Sequence, residues 1–358
     1  MISYEIHISG RVQGVGFRPF IFNLAEEFGL KGYVSNDELG VIIVCQGENS
    51  EQFFNEIHHR KPKSSEIIFS EIKEIETAEI FENFFIKPTE KNIFVDIPLT
   101  PDFATCESCE TELFDEKKPR YFYPFTTCTQ CGPRYSITKK FPFERENTAI
   151  EVFKMCPNCL AEYKNPDDVR FHSQTNSCPN CGIQIWLKDN LGNEFKGSNK
   201  EIFEKLAEEL SKGKIIALKN TAGYLLMCDA TNSEAVSELR KRKRRPTKPF
   251  AVLFSGISTM QDYLEISELQ IQHFKSSESP IIVTKIKEVK DLAIEEISPN
   301  MNSVGAMFPY SGTLKLISKT FGKPLIATSG NFHSSPICST TEEAEQILGK
   351  IADFFLHN

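Results

Sequence analysis

Eight of the eleven cysteines in this 358-residue chain form four C-x-x-C pairs. They read C-x2-C-x18-C-x2-C twice, and the two copies align without gaps at an offset of 50 positions. Because two C-x-x-C turns can place four thiolates around one ion, the pattern predicts two structural Zn²⁺ ions. An iron–sulfur or rubredoxin-like iron site is the main alternative, and disulfides are a distant one. The predicted ligands are Cys106, Cys109, Cys128, Cys131, Cys156, Cys159, Cys178 and Cys181.

The spacing leaves open whether each ion binds within one copy or across the two, although the unbroken repeat favours binding within a copy. His172 in the second copy is a spare ligand, which we expect to pack or to form a hydrogen bond. The remaining cysteines, Cys45, Cys228 and Cys338, have apolar neighbours, and we expect them in the hydrophobic core rather than as nucleophiles.

A second pattern is the glycine-rich segment GRVQGVGFR at residues 10–18, between a strand-like opening and a helix-like continuation. The unpaired N–H groups and the dipole at a helix N-terminus attract anions, and Arg18 is placed to close on the same anion. The sequence contains neither the dinucleotide fingerprint nor a P-loop motif. We therefore predict a cradle for one phosphate, formed by Gln13, Gly14, Val15, Gly16 and Phe17.

The elements around this loop predict a ferredoxin-like βαββαβ domain. Apolar residues alternate before the loop, and helical spacing follows it as far as Phe28. Strands at 33–36 and 41–47, a helix at 50–60 and strands at 67–76 and 84–88 complete the expected order.

In the last third, a helix at about 200–212 and several short apolar strands indicate an α/β domain with a twisted, mixed sheet. Asn232 or Ser233 can cap a helix that runs into the basic block Arg240–Arg245, where Pro246 stops it. We therefore expect an α+β multidomain protein. Its expected parts are a ferredoxin-like domain at 1–90, a tandem zinc-finger domain with four cysteines per finger at 91–195 and an α/β domain at 196–358.

The composition, with 40% hydrophobic residues and a net charge of −8, is that of an ordinary soluble protein. There is no apolar run of bilayer length and no secretory signal at the N-terminus, so we expect a cytoplasmic protein without a membrane partner. Acidic residues outnumber basic ones over residues 1–195, which makes nucleic acid an unlikely partner.

The loop GRVQGVGFR and the segment GYVSN at 32–36 together resemble the paired signature of acylphosphatases. The resemblance implies that Arg18 binds the phosphoryl group and that Asn36 orients the attacking water. This chemistry is reasonable, because an acyl phosphate is already activated and needs mainly charge neutralisation and a positioned nucleophile.

In the last third, KRRP at 243–246 and SGN at 329–331 resemble the K-x-R-P and S-x-N motifs of YrdC-type domains. The resemblance implies a pocket for ATP, as a substrate with Mg²⁺, and for a carbamate derivative. Lys243 and Arg245 would neutralise the ATP phosphates, while Ser329 and Asn331 would hydrogen-bond the nucleotide or the carbamoyl group. Tyr224 lies on another segment that the resemblance places at this pocket.

The three parts in this order resemble the N-terminal part of the HypF carbamoyltransferases of [NiFe]-hydrogenase maturation. The segments YPFTTCTQCGPRYSI, RFHSQTNSCPNCG, LRKRKRRPTKPFAV and TSGNFHSSPI carry the resemblance. It implies that carbamoyl phosphate is hydrolysed in the first domain, and that the carbamate reacts with ATP in the third domain to give carbamoyl adenylate. The carbamoyl acceptor would be a HypE-type protein. Because the chain stops at ADFFLHN, before the family's transfer domain, we expect that it does not complete the transfer alone.

Two other functions remain open. Free-standing YrdC-type enzymes make threonylcarbamoyl adenylate for tRNA modification, a function that would explain the last third only. A non-enzymatic zinc-ribbon protein could instead bind RNA through the basic block Arg240–Arg245.

Overall fold

The structure is a computed structural model that describes residues 3–77, 79–89, 96–287 and 291–358. The chain divides into two compact units. The first consists of Met1–Cys106 with Thr127–Gly182, and the second of Glu107–Thr126 with Ile183–Asn358. The expected boundary between residues 90 and 91 lies outside the described residues, and the expected domain limits remain predictions.

The first unit contains a five-stranded sheet with the strand order β4-β1-β3-β2-β5. All neighbouring strands are antiparallel except β2 and β5. This arrangement confirms the predicted ferredoxin-like plan. Its elements are β1 (Ser3–Arg11), α1 (Phe17–Glu27), β2 (Lys31–Asn36), β3 (Val41–Gln46), α2 (Ser50–Arg60), β4 (Glu66–Ile75) and β5 (Phe84–Ile86).

The core of this sheet follows from the alternating pattern seen in the sequence. Ile6 and Ile8 on β1 are almost fully buried, because side chains two residues apart lie on the same face of a strand. Helix α1 covers them with a stripe that includes Ile21 and Leu24, and α2 contributes Phe53. Burial of each such side chain contributes about 1.5–3 kcal/mol. The packing of α1 fixes the loop that precedes it.

Each cysteine repeat contains one short helix directly after its first C-x-x-C cysteine. These helices are α3 (Glu107–Phe114) in the second unit and α4 (Pro157–Lys164) in the first unit. Two single 3₁₀ turns, Tyr135–Ile137 and Arg145–Asn147, lie between the repeats in sequence.

The second unit contains a ten-stranded sheet in the order β11-β12-β13-β10-β14-β9-β8-β15-β6-β7. The pairs β10/β13 and β8/β15 are parallel and the others antiparallel, which confirms the predicted mixed sheet. The strands are β6 (Trp186–Asp189), β7 (Glu194–Phe195), β8 (Ile216–Asn220), β9 (Gly223–Asp229), β10 (Ala251–Leu253), β11 (Leu264–Glu265), β12 (Ile282–Ile286), β13 (Ser303–Met307), β14 (Leu325–Ser329) and β15 (Phe354–His357).

Helices pack against this sheet and complete an α/β layer structure. They are α5 (Asn199–Ser211), α6 (Ser233–Lys243), α7 (Ile257–Tyr263), α8 (Glu268–Phe274), α9 (Ile294–Ile297), α10 (Gly312–Phe321) and α11 (Thr341–Leu348). Ser198 and Glu201 form a reciprocal capping box at α5, and Asn232 caps α6 as expected. Strands β6 and β7 precede residue 196, where the sequence suggested a domain limit, yet they belong to this sheet.

The three cysteines outside the repeats lie in the cores, as predicted. Cys45 belongs to the core of the first unit, and Cys228 and Cys338 belong to a core cluster of the second. Burial raises the pKa of the Cys45 thiol to about 11 and also raises the pKa values of the other two. All three are therefore poor nucleophiles at neutral pH.

A buried hydrogen bond joins two strands of the second unit. The Tyr224 hydroxyl on β9 lies 2.6 Å from Nδ1 of His357 on β15, and both side chains are fully buried. Burial lowers the pKa of His357 to about 4, although the carboxylate of Glu345 is 3.3 Å from its Nε2. His357 is therefore neutral in the folded protein at pH 7.

This burial predicts a pH-dependent stability in the second unit. An unfolded histidine has a pKa near 6.5, so between about pH 6.5 and 4 the unfolded chain binds more protons than the folded one. The contribution of His357 is complete above pH 6.5 and decreases as the pH falls towards 4. The variant His357→Gln should therefore show a shallower fall in unfolding free energy across this window than the wild type.

Urea unfolding at several pH values between 4.5 and 7 measures this difference. The single tryptophan, Trp186, is a local probe because its ring centroid is 5.4 Å from that of His357. His59→Gln, on the exposed face of α2, is the matched control. Equal slopes for the wild type and His357→Gln would contradict the assignment.

Candidate functional site

The glycine-rich loop between β1 and α1 forms one side of a pocket in the first unit. Gln13, Gly14, Gly16, Phe17 and Arg18 line it, in agreement with the predicted phosphate cradle. Gly14 and Gly16 have φ angles of 73° and 75°, in the left-handed region that favours glycine. Gly16 is also the residue that caps α1, so the free N–H groups of the first helical turn begin at this loop.

Three of the predicted residues have other placements or other side-chain partners. Val15 is completely buried in the core, and only its main chain remains a candidate phosphate ligand. The Gln13 side chain donates to the carbonyls of Asp37 and Gly40, at 3.1 and 2.8 Å, and so ties the loop to the β2–β3 turn. Asn36 does not line the pocket. Its side chain is buried, and its Oδ1 has no hydrogen-bond partner among the described residues.

Residues of the cysteine-rich segment form the other side of the pocket. They come from both sides of the second repeat's helix in sequence, and all of them lie in the first unit. They are Thr129, Arg134, Phe143, His172, Ser173 and Gln174. The fit is close, because a Cβ atom on Gly14 would lie 3.3 Å from the Phe143 ring and one on Gly16 would lie 3.0 Å from Thr129. The sequence analysis missed these wall residues, since they are more than 100 positions from the loop.

Arg134 links a cysteine turn to the phosphate loop. Its Nε donates to the Gly14 carbonyl, and its two NH groups donate to the carbonyls of Cys128, Thr129 and Cys131 at 2.9–3.3 Å. The side chain is almost fully buried, and its guanidinium lies over the Phe143 ring. A carbonyl and the following N–H point in opposite directions, so fixing the Gly14 carbonyl also fixes the direction of the Val15 N–H.

Arg18 is paired with an acidic residue from the cysteine-rich segment. Its Nη2 lies 2.8 Å from Oε1 of Glu144, and Thr89 donates a hydrogen bond to the same carboxylate oxygen at 3.0 Å. Both charged side chains are mostly shielded from solvent. A phosphate that binds Arg18 would compete with this carboxylate or share the arginine with it.

The eight repeat cysteines form two separate clusters, one in each repeat. Within each cluster the four sulfurs lie within 4.8 Å of one another. Neighbouring Sγ atoms are 3.6–3.7 Å apart, and none of these cysteines forms a disulfide among the described residues. A tetrahedral zinc site with Zn–S bonds of about 2.3 Å requires S–S distances of about 3.8 Å, and a disulfide about 2.05 Å. The clusters therefore fit zinc, and they resolve the pairing as within each repeat.

In the second unit, three of the predicted nucleotide residues lie together. The Lys243 ammonium donates to the Ser329 carbonyl at 2.5 Å and to both oxygens of Asn331 at 2.7 Å. The Ser329 hydroxyl donates to the Asn331 side chain at 2.8 Å. Burial and, to a smaller extent, the positive charge of Arg245 lower the pKa of Lys243 to about 8.

These contacts show which protein groups three of the expected nucleotide residues hold. The Lys243 ammonium has three hydrogens, and it has three acceptors in the 329–331 turn. Its hydrogen bonds are therefore to that turn. Arg245 donates to the carbonyls of Lys248 and Pro249 and thereby shapes its own loop. The Tyr224 hydroxyl is bonded to His357, and only its main chain touches the turn, at the Gly330 N–H.

Three family models match the chain. The acylphosphatase model matches residues 4–86, and the HypF finger model matches residues 105–138 and 155–188. The Sua5/YciO/YrdC model, described as telomere recombination, matches residues 208–358.

Matches along almost the whole chain come from one group of proteins. Carbamoyltransferase HypF of Rhodobacter capsulatus is 36% identical over 99% of this chain. The probable carbamoyltransferase HypF of Methanocaldococcus jannaschii is 39% identical over 99%. The chain is thus similar to HypF carbamoyltransferases along almost its whole length. The resemblance found in the sequence is confirmed.

A solved structure of full-length HypF in the phosphate- and nucleotide-bound form matches 99% of this chain with a TM-score of 0.92 and 39% identity. The chain covers 46% of that HypF and 46–47% of the two relatives, so it spans about half of their length. Among the described residues, no helix has the length and apolar character needed to cross a membrane.

The ion pair at Arg18 predicts that Glu144→Gln will bind inorganic phosphate more tightly than the wild type. Removing the carboxylate removes both a competitor for the guanidinium and a negative charge that repels the anion. We expect an affinity gain of about threefold to tenfold, the usual range for one partly shielded charge interaction. Isothermal titration calorimetry with phosphate measures it.

Glu151→Gln is the control, because Glu151 is a carboxylate of the same segment that pairs with the exposed Lys139. Weaker or unchanged phosphate binding in Glu144→Gln would show that Glu144 supports Arg18 rather than competing with phosphate.

The cysteine clusters predict two zinc ions per chain. Elemental analysis of the purified protein should give two equivalents of zinc, and Cys178→Ser should retain about one, because each site needs all four sulfurs. Cys228→Ala, a change outside the clusters, should retain both. Two equivalents of iron, or zinc loss in the Cys228 variant alone, would contradict the assignment.

Proposed function

We propose that this chain hydrolyses carbamoyl phosphate in its acylphosphatase domain and uses ATP in its Sua5/YrdC-type domain to convert the released carbamate into carbamoyl adenylate. The observation that carries the proposal is the pocket of the first unit, where Arg18 and a left-handed glycine loop meet at the N-terminus of α1. The similarity to HypF along 99% of the chain supports the choice of acyl group.

In the first step, water attacks the phosphorus of carbamoyl phosphate, the bond from phosphorus to the carbamoyl oxygen breaks, and carbamate and phosphate leave. The loop N–H groups and Arg18 neutralise the charge that develops on the phosphoryl oxygens. The acylphosphatase similarity assigns the orientation of this water to Asn36, whose Oδ1 is buried and has no partner among the described residues, although its side chain lies outside the pocket lining. The pocket walls contributed by the cysteine-rich segment limit the access of other water.

In the second step, a carbamate oxygen attacks the α-phosphate of ATP and pyrophosphate leaves. The turn at Ser329–Asn331, held by Lys243, is the proposed contact surface for the nucleotide or the carbamoyl group. ATP would bind together with Mg²⁺, which neutralises the departing pyrophosphate. Transfer to a HypE-type acceptor in hydrogenase maturation would be the fate of the adenylate.

The hydrogen bonds and ion pairs made by the basic block Arg240–Arg245 argue against the RNA-binding alternative. Arg240 and Lys243 are buried and donate to main-chain carbonyls, and Arg242 forms ion pairs with Glu238 and Asp353. Few of these charges remain available for phosphates of a nucleic acid. The threonylcarbamoyl adenylate alternative leaves the pocket of the first unit without a role.

The proposal predicts phosphate release from carbamoyl phosphate and, when ATP is added, pyrophosphate release. Arg18→Ala should lower both by about 100-fold or more, because it removes a charge that stabilises the transition state and the second step depends on the first. Both products can be measured by coupled colorimetric assays.

Arg60→Ala is the control, since Arg60 is an exposed arginine of the same domain that pairs with Glu27. Pyrophosphate release that requires threonine and bicarbonate instead of carbamoyl phosphate would favour the alternative enzyme. Phosphate release unaffected by Arg18→Ala would refute the proposed site.

A further inference from the structure

His172 is the one residue of the second cysteine repeat that the sequence left without a role, and it lines the acylphosphatase pocket together with Arg18. Two hydrogen bonds hold its main chain. The main-chain N–H of His172 donates to the Tyr163 carbonyl at 2.9 Å, and the Gln174 side chain donates to the His172 carbonyl at 2.9 Å. The imidazole lies against the rings of Tyr163 and Phe171, with centroids 4.9 and 4.7 Å away.

The first repeat supplies an internal comparison. Phe122 occupies the equivalent position, and its φ of 53° matches the 55° of His172. The N–H of Phe122 donates to the Leu113 carbonyl at 2.9 Å, which is the counterpart of the bond from His172 to Tyr163. The two turns therefore have the same backbone conformation, and that conformation is compatible with a phenylalanine side chain.

The two side chains have different surroundings. In the first repeat, Phe122 packs against Phe114 and Phe203, both apolar. In the second repeat, the imidazole lies in a pocket that also contains a guanidinium and a phosphate loop. Because the fold accepts phenylalanine at this turn, the fold does not explain why a histidine stands in the copy that borders the pocket.

The chemistry of the imidazole limits what it can bind. Burial and the positive charge of Arg18 together lower the pKa of His172 to about 4, so the ring is neutral at pH 7. A neutral imidazole has one donor and one acceptor nitrogen. Neither nitrogen hydrogen-bonds to another residue in the part of the chain that the structure describes.

The other polar side chains of the pocket have partners within the protein. Arg134 and Thr129 donate to main-chain carbonyls, and the Ser173 hydroxyl lies 3.5 Å from that of Thr175. Arg18 and the loop N–H groups suit the charged phosphoryl group. The Gln174 side chain is bonded to Tyr163, to the His172 carbonyl and to the Arg145 N–H. His172 is therefore the side chain that remains for the acyl end of the substrate. A carbamoyl group differs from an acetyl group in having an amino group, which needs an acceptor.

We propose that His172 accepts a hydrogen bond from the amino group of carbamoyl phosphate, and that the second finger thereby selects a carbamoyl over an acetyl phosphate. This inference rests on the proposed acylphosphatase activity and adds a specificity-determining residue to it. A site that satisfies an amino group discriminates against an analogue that lacks it, since its acceptor is then left unpaired.

The test compares kcat/KM for carbamoyl phosphate and acetyl phosphate in the wild type and in His172→Phe, which installs the residue of the first repeat. The ratio of the two values should fall about tenfold, the effect of one neutral hydrogen bond. Hydrolysis of acetyl phosphate and affinity for inorganic phosphate should change less than about twofold. His172→Asn keeps an acceptor and tolerates a positive φ, so it should restore part of the ratio. His59→Phe, on the exposed surface of α2, is the control.

An equal loss for both substrates, accompanied by weaker phosphate binding, would overturn the inference and assign His172 a structural role. An unchanged ratio in both His172 variants would overturn it as well. These outcomes leave the proposed function intact, whereas a wild-type chain that hydrolyses neither substrate would refute both. The far-UV circular dichroism and the zinc content of each variant establish that it is folded, and the Asn variant carries the test if the Phe variant is not.

Discussion

The buried guanidinium of Arg134 is the interaction on which the pocket of the first unit depends. It donates hydrogen bonds to carbonyls of a cysteine turn on one side and to the carbonyl of Gly14 on the other. A loop with two left-handed glycines has much conformational freedom, and glycine loses more of it on folding than any other residue. The fixed hydrogen bonds of Arg134 remove that freedom at the point where an anion must meet several N–H groups at once. The cysteine cluster matters for the pocket because main-chain carbonyls of its turn hold Arg134.

The ion pair between Arg18 and Glu144 stabilises the pocket in the absence of a substrate. Arg18 would be costly to bury alone, and the carboxylate of Glu144 offsets that cost. If the pocket binds phosphate as proposed, the same carboxylate would oppose the anion, so that stability of the free protein and affinity for phosphate would act against each other at one residue. Neutral His172 and the hydrogen-bonded Gln174 add polarity to the wall without adding charge. Arg18 and Glu144 thus offset each other's charge, while the second guanidinium of the pocket, that of Arg134, is held by main-chain carbonyls.

Local patterns in the sequence predicted the local structure well. Alternation and glycine position identified the ferredoxin-like sheet and the left-handed glycine loop, and cysteine spacing identified the two clusters. What the sequence could not supply were contacts between distant segments, such as those of Arg134 and Glu144 with the loop. Motif similarity also did not reveal the internal contacts of these residues: Lys243 donates to the Ser329 carbonyl, and the Tyr224 hydroxyl is bonded to His357. A signal for His172 was present, since alignment of the repeats sets a histidine against a phenylalanine, but its meaning needed the location of the pocket.

The shared positive φ at Phe122 and His172 has an evolutionary consequence. A bulky residue in this conformation is strained by about 1 kcal/mol or more, and the surrounding turn must impose it in both repeats. The backbone geometry is therefore independent of the side chain that it carries. A duplicated finger of this kind gives a protein two copies of one rigid turn. One copy can keep a residue that packs in the core, while the other can accept a different side chain with little effect on folding. Tandem metal-binding modules can in this way acquire active-site residues for a neighbouring domain that evolved without them.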